Sequence, residues 1–247
     1  MITAIKEDKK SILQSPAAAV RDSLLIMESM DRYNHWIYSN MRRYIGADIL
    51  EVGSGTGNIT QFLVFCRRVV ALESDPVSAA RAQGRFRHNG NIEIIQSTLQ
   101  EYAHRQPNPD LFDTVLSINV LEHIEDDVEA LRCMRKLTNA QGRVVIMAPA
   151  LPILYGSLDR SFGHFRRYRR RRLQRRFHDA GLEVIRSFYM NLPGVLGWFV
   201  HSRLLRRRQI DAKTSRRFNK AVPWLRTAES IVKPPLGQSL IMVGKKA

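Results

Sequence analysis

The chain has 247 residues, 44% of them hydrophobic, enough to bury a full core and most simply to form one domain with appendages. Its 39 Lys and Arg against 23 Asp and Glu leave a net charge of +16, a balance that attracts polyanions. Two cysteines, Cys66 and Cys133, lie far apart on predicted helices without metal-type spacing, which excludes a disulfide framework and leaves core thiols suited to a reducing compartment.

Residues 1 to 15 are polar and charged, and nowhere does an apolar run reach the ~18 residues of a spanning helix, so a cytoplasmic protein, soluble or peripheral, is expected. Pro16 to Ile45 is helical in pattern: Pro16 suits a first turn, and Leu24, Leu25, Met27, Met30 and Tyr33 form a rough apolar stripe. Packing of that stripe onto a sheet is favoured over a site-lining role for Tyr33, Asn34 and Trp36. From Ile49 to Gly57 the chain reads Ile-Leu-Glu-Val-Gly-Ser-Gly-Thr-Gly, a short apolar strand with an acid, Glu51, near its end, running into three alternate glycines. Such glycines let the backbone turn sharply and let a ligand approach main-chain N–H groups, here at the start of a helix expected near Asn58. A nucleotide-like ligand is the natural occupant, although the dinucleotide fingerprint would place a glycine where Asn58 stands.

Arg68 to Glu73 is a second apolar run ending in an acid, about twenty residues after the glycine loop, the spacing at which a carboxylate reaches ribose hydroxyls across the next strand. Glu73 is therefore the expected ribose ligand. Asn91 to Gln96 reads as a third strand, followed by Ser97-Thr98-Leu99. Leu111 to Ile118 is a fourth, leading into Asn119-Val120-Leu121-Glu122-His123-Ile124. Gln141-Gly142-Arg143 turns into a fifth strand, Val144 to Ala148, and Leu182 to Met190 and Gln238 to Val243 supply the sixth and the last. Strand and helix signals alternate, which predicts right-handed crossovers and a parallel sheet buried on both faces.

The loop at 49–57, the acid at 73 and the Leu121-Glu122-His123 segment together resemble motifs of the class I S-adenosylmethionine-dependent methyltransferases, over roughly residues 30 to 190 plus the last strand. The resemblance implies a Rossmann-like α/β fold with a seven-stranded, mostly parallel sheet and an antiparallel last strand. It implies S-adenosyl-L-methionine as cofactor, with Glu51, Gly53, Ser54, Gly55 and Asn58 on its methionine part, Thr98 and Leu99 on adenine, and Asn119 and Val120 beside the sulfonium. In the family an Asp commonly stands where Thr98 falls. N-terminal helices in the family close over cofactor and substrate, so the domain plan is a helical cap over 1–45, an α/β core over 46–190, a helical insertion or lid over 191–236 and the last strand over 237–247.

The segment Tyr155-Gly-Ser-Leu-Asp159-Arg-Ser-Phe-Gly163-His164-Phe-Arg166-Arg167-Tyr168 resembles a signature of a bacterial subgroup related to the ubiquinone-biosynthesis methyltransferases, with Arg169 where a small hydroxyl residue usually caps the next helix. Methyl transfer needs an aligned acceptor and, for a hydroxyl, removal of a proton. His164 is the favoured base, with Asp159 or Tyr168 as orienting partners and His123 as runner-up. An ordered loop tied by Asp159 to Arg166 or Arg167 is the structural alternative. No metal is expected.

From Arg160 to Lys220 eighteen Lys and Arg face three acids. That density fits nucleic acid, an anionic membrane surface or plain solvated faces. Asn119-Val-Leu-Glu-His is not the motif of base amino methylation, so nucleic acid is not favoured. Leu192 to Leu205, rich in Val, Leu, Trp and Phe before Arg206-Arg-Arg208, resembles an interfacial helix with a basic edge. The expected acceptor is small or amphiphilic, lipid-linked or polyketide-like, and O-methylation is the default. An RNA-modifying enzyme and a non-catalytic basic binding module on the same fold are the alternatives.

Overall fold

Neighbouring residues of the central strands part to opposite faces, as a period of two requires. Ile49, Val69, Leu116 and Ile241 join one core with Trp36, Met41 and Val222. Leu50, Val70, Val115 and Leu240 join another with Leu131, Leu173 and Phe177. A sheet buried on both sides follows, and the computed structural model, which describes residues 15–106 and 111–247, has one. What the sequence implied for residues 1–14, polar character and the first part of the cap, lies outside the described residues.

The strands are β1 (Asp48–Val52), β2 (Arg68–Glu73), β3 (Ile92–Gln96), β4 (Phe112–Ile118), β5 (Thr138–Pro149), β6 (Leu182–Met190) and β7 (Ser239–Lys246). They line up as β3-β2-β1-β4-β5-β7-β6. Pairings among β1 to β5 are parallel, and β7 runs antiparallel to both β5 and β6. The expected seven-stranded fold is therefore present. The strand order reverses at β1, whose neighbours are β2 and β4, and ligands of open parallel sheets bind beyond the carboxyl ends at such a switch point.

The helices are α1 (Pro16–Glu28), α2 (Asp31–Met41), α3 (Pro76–Phe86), α4 (Leu99–Arg105), α5 (Asp127–Leu137), α6 (Ser157–Ser161), α7 (Arg170–Asp179), α8 (Leu192–Trp198) and α9 (Ala212–Ile231). Ser15 caps α1 ahead of Pro16, and Asp75 caps α3 ahead of Pro76, so proline occupies the turn where its missing N–H costs nothing. Arg169 offers α7 no side-chain cap, as its chemistry dictates.

Four local expectations are corrected. The helical stretch from Pro16 to Ile45 breaks at Ser29 and Met30 into α1 and α2, and Asn34 Nδ2 bridges the break by donating to Met27 O at 2.8 Å. No α-helix starts near Asn58; the chain makes a single 3-10 turn, Thr60–Phe62, before β2. Its apolar spacing at Ile59, Phe62 and Leu63 imitates a helix, but Arg68 must already pair with Asp48. Consequently Cys66 lies in a turn, while Cys133 is on α5 as expected. Finally, Gln141-Gly142-Arg143 is no turn: β5 runs through it from Thr138, with an irregularity where Phe112 meets Thr138.

Candidate functional site

β1 delivers the chain into a loop in which Gly53, Gly55 and Gly57 all have positive φ, at 73°, 57° and 83°. An L side chain at these angles is strained. Gly53 N and Ser54 N both donate to Leu72 O, locking the loop to the end of β2. Glu73, the last residue of that strand, accepts from Gly55 N at 2.8 Å through Oε2 and from Asp75 N at 2.8 Å through Oε1. Each oxygen keeps a further lone pair. Burial pushes its carboxyl above the usual range, against the pull of those two N–H groups. Glu51 is buried on β1 and accepts from Thr60 Oγ1 at 2.6 Å, and burial raises its pKa to about 7.

Ser54 Oγ and Asn58 Oδ1 are buried without a hydrogen-bond partner among the described residues, and so is Ser117 Oγ on β4, beside Val52 in register. Unpaired buried oxygens at a strand-order reversal mark a place built for a polar ligand. A Cβ on Gly53 would strike Val120, and one on Gly55 would strike Leu24 of α1 at 2.7 Å. Asn58 Nδ2 donates to Leu24 O and Arg21 pairs with Asp75, so α1 packs over the loop. Thr98 and Leu99 open α4, where Thr98 forms a capping box with Glu101, which commits the Thr98 side chain to the helix. Asn119 is exposed with φ 54° and its N–H bonds Met147 O.

Around the next turn, the chain assembles a second constellation at the same sheet edge. Asp159 of α6 and His164 meet through Oδ1 and Nδ1 at 3.0 Å. Arg167 Nε also donates to Asp159 Oδ1, at 2.7 Å, and Gly156 N and Trp198 Nε1 donate to Oδ2 at 3.0 and 3.1 Å. Burial alone would raise the Asp159 pKa, but His164, Arg167 and Gly156 outweigh it and hold the carboxyl ionised. Arg167 is wholly buried, its Nη1 donating to Ala150 O, its Nη2 without a hydrogen-bond partner among the described residues, and its guanidinium lying 4.6 Å over the Trp198 ring. With Nδ1–H turned to Asp159, His164 presents Nε2 toward Glu122, 4.0 Å away.

Glu122 has no exposed side-chain surface, and neither of its oxygens has a hydrogen-bond partner among the described residues. Burial drives its pKa to about 7 while His164 and Arg167 pull it down. His123 meets His164 edge to face at 4.7 Å, and burial lowers its pKa to about 4, so its ring is neutral at pH 7. Glu122, His123 and His164 each bring one ligand atom within 4.8 Å of the others, a grouping able to hold a cation that spacing did not disclose. Tyr168 is not part of this cluster: its hydroxyl donates to Asp127 Oδ2 at 3.0 Å, and burial raises its pKa strongly. Arg166 pairs with that same Asp127 and donates to Ile124 O and Glu125 O, so it braces the loop carrying Glu122.

The structure thus gathers His164, Asp159 and His123, keeps Glu51, Gly53, Ser54, Gly55, Asn58 and Glu73 together at the switch point, and directs Tyr168 and Thr98 elsewhere. Sequence reasoning missed Glu122 as a site group and Trp198 as a donor, while of the two arginines it offered to Asp159 the structure pairs the buried Arg167. Glu122 was visible in its motif, while no pattern along the chain links Trp198 to Asp159.

Because the Glu122 proton is kept in the fold and released by the unfolded chain above its ordinary pKa of 4.5, its stabilising contribution is complete below pH 4.5 and lost as pH rises through about 7. Glu122→Gln is expected to be more stable than the parent at pH 8 by on the order of 2 kcal/mol, with little difference at pH 5. Urea midpoints at the two pH values check this, and equal differences at both would refute the buried-acid account.

The profile of a family described as "Methyltransferase domain" matches residues 28–187. Among curated proteins, a ubiquinone biosynthesis O-methyltransferase of Aliivibrio fischeri is 26% identical over 113 residues, covering 44% of this chain and 47% of that protein. A probable S-adenosylmethionine-dependent methyltransferase of Mycobacterium tuberculosis is 26% identical over 145 residues, covering 55% of this chain and 50% of its own length. The chain spans about half the length of these relatives. Among solved structures, a SAM-dependent methyltransferase from Archaeoglobus fulgidus superposes with a TM-score of 0.58 at 17% identity, over 86% of this chain and 94% of that one, a likeness of fold alone.

Proposed function

The chain belongs to the methyltransferase domain family, and from that premise we propose that it is an S-adenosyl-L-methionine-dependent methyltransferase acting on a hydroxyl of a small or amphiphilic acceptor. The observation that carries the cofactor reading is the Glu73 carboxylate bound to Gly55 N–H, the middle one of three left-handed glycines, with Ser54, Asn58 and Ser117 oxygens unpaired in the same region. These residues fit the group: Glu73 offers lone pairs to a ribose diol, and Ser54 and Asn58 offer oxygens to an ammonium. When bound, the cofactor supplies a methyl group on a sulfonium.

The chain's own contribution is alignment and proton removal. Asp159 fixes His164 in the tautomer that leaves Nε2 free, and Nε2 takes the acceptor's hydroxyl proton, leaving an oxygen nucleophile. The positive charge then formed on the ring is offset by ionised Asp159. The arginines temper the RNA reading: Arg166, Arg167 and Arg176 are held by Asp127 and Asp159, and Arg170 lies over Tyr189, so half of the arginines between 166 and 176 are engaged within the fold, while Arg169, Arg171, Arg172 and Arg175 are exposed.

Calorimetry with S-adenosylmethionine tests the proposal. Binding is expected, and Glu73→Ala is expected to weaken it about tenfold to hundredfold by removing charge-assisted hydrogen bonds. No heat with the parent protein would remove the enzyme reading in favour of a basic binding module, and a response to NADH instead would point to dinucleotide chemistry.

A further inference from the structure

The segment between β6 and β7 presents to solvent what proteins ordinarily bury. Leu196 is 68% exposed, Leu204 63% and Trp224 81%, and Leu192, Leu205, Ile231 and Val232 are exposed with them. Exposed leucines singly need no explanation, but this many on one insertion, with a nearly bare tryptophan, mark a contact surface. The segment is anchored from within. Trp198 reaches Asp159, Ser202 O accepts from Ser157 Oγ, and Asn191 and Leu192 N–H groups bond Glu229 of α9.

Basic groups border the apolar ones. α8 continues through a π-helical stretch, Phe199–Leu204, into Arg206-Arg207-Arg208, and the main chain there is held by Ser157 Oγ on Arg207 O and Ser161 Oγ on Arg208 O. Fixed backbone presents these arginines as a set. No described carboxylate forms an ion pair with Arg203, Arg206, Arg207 or Arg208. Arg160, Arg203 and Arg206, with Phe199 and Leu204, line a cavity of about 410 Å³. Lys213, Arg216, Arg217 and Lys220 add exposed positive charge along α9, the helix that carries Trp224.

We propose that the 192–236 insertion is a docking surface for an anionic phospholipid bilayer, its leucines and Trp224 entering the interface and the Arg160, Arg203 and Arg206 cavity taking a headgroup phosphate. Charge complementarity supplies the choice of occupant: an anionic surface matches guanidinium groups that no described carboxylate neutralises, Arg203 keeping one bond to Tyr155 O, and its acyl boundary matches the apolar side chains between them. A nucleic acid would use the arginines but would leave leucines and tryptophan in water. Attachment is peripheral, because no described helix is long and apolar enough to cross a membrane.

Vesicle sedimentation of the full chain reads docking without turnover, so it stands apart from the methyl-transfer reading. The protein is expected to pellet with phosphatidylglycerol-containing vesicles and to stay in solution with pure phosphatidylcholine. Leu196→Ser/Trp224→Ser keeps every charge and is expected to lower partition at least about tenfold. Arg206→Glu/Arg207→Glu is expected to lower it by a similar factor. Circular dichroism checks that each variant keeps the parent's fold. No pelleting with anionic vesicles overturns the proposal. So does full binding by Leu196→Ser/Trp224→Ser together with loss in the arginine variant, since that pair of results describes a polyanion surface, such as one for RNA, and not a lipid interface.

Discussion

Replacing Arg167 with Met is expected to lower the stability of the fold by about 3–5 kcal/mol, the range for breaking a buried ion pair by removing one partner. Arg167 and Asp159 each have no exposed side-chain surface. Their attraction offsets two desolvation costs at once, and truncating one side leaves the other cost standing. Asp159 would retain Gly156 N–H, Trp198 Nε1 and His164, but lose the guanidinium whose 2.7 Å bond helps keep it ionised. Ala150 O would lose its Arg167 donor, and the Trp198 ring the cation above it. Met matches the stem of Arg in apolar volume, so a large loss reports charge rather than a cavity. Urea denaturation gives the number directly, and a loss under about 1 kcal/mol, the value typical of exposed pairs, would mean the pair is not as dry as its geometry indicates.

That residue also shows where sequence reading stops. Arg166 to Arg172 is a run in which every arginine carries the same charge and the same propensity, so nothing in it marks Arg167 as the buried one. Tertiary packing decides, through Asp159 on α6 and Trp198 on α8, and neither contact has a periodicity. The glycine loop is the opposite case. Gly53, Gly55 and Gly57 occupy backbone angles that strain a side chain, a Cβ at Gly53 or Gly55 would also strike Val120 or Leu24, and Glu73 ends the adjoining strand, so the local chemistry favours those residue types at that spacing and the sequence discloses it. Intermediate cases misled in a definable way. Ile59, Phe62 and Leu63 have helical spacing, yet the short path from Gly57 to β2 allows only a 3-10 turn. Gln141-Gly142-Arg143 has turn residues, yet pairing with β4 draws the stretch into β5. In both, a long-range ladder overrides local preference.

His164→Ala is expected to lower kcat by about 10²–10⁴-fold, the range for losing a positioned proton acceptor, while the calorimetric affinity for S-adenosylmethionine stays close to that of the parent. The separation of the two effects follows from geometry: Glu73 and the glycine loop lie on β1 and β2, whereas His164 follows α6 and faces Glu122 beyond β4. Asp159→Asn should also reduce turnover, because an amide no longer offsets the charge on a protonated His164, and it carries a stability loss through Arg167 that urea titration will register separately. Trp198→Phe removes one donor to Asp159 while keeping the aromatic face for Arg167, so its smaller loss of turnover isolates how far α8 positions the pair. Near-normal turnover in His164→Ala would transfer the role to His123 or to alignment alone. His123 is the weaker candidate on physical grounds, since burial holds its pKa at about 4 and makes its ring a poor acceptor at neutral pH, whereas His164 has an ionised carboxylate on Nδ1 to receive the charge that proton removal creates.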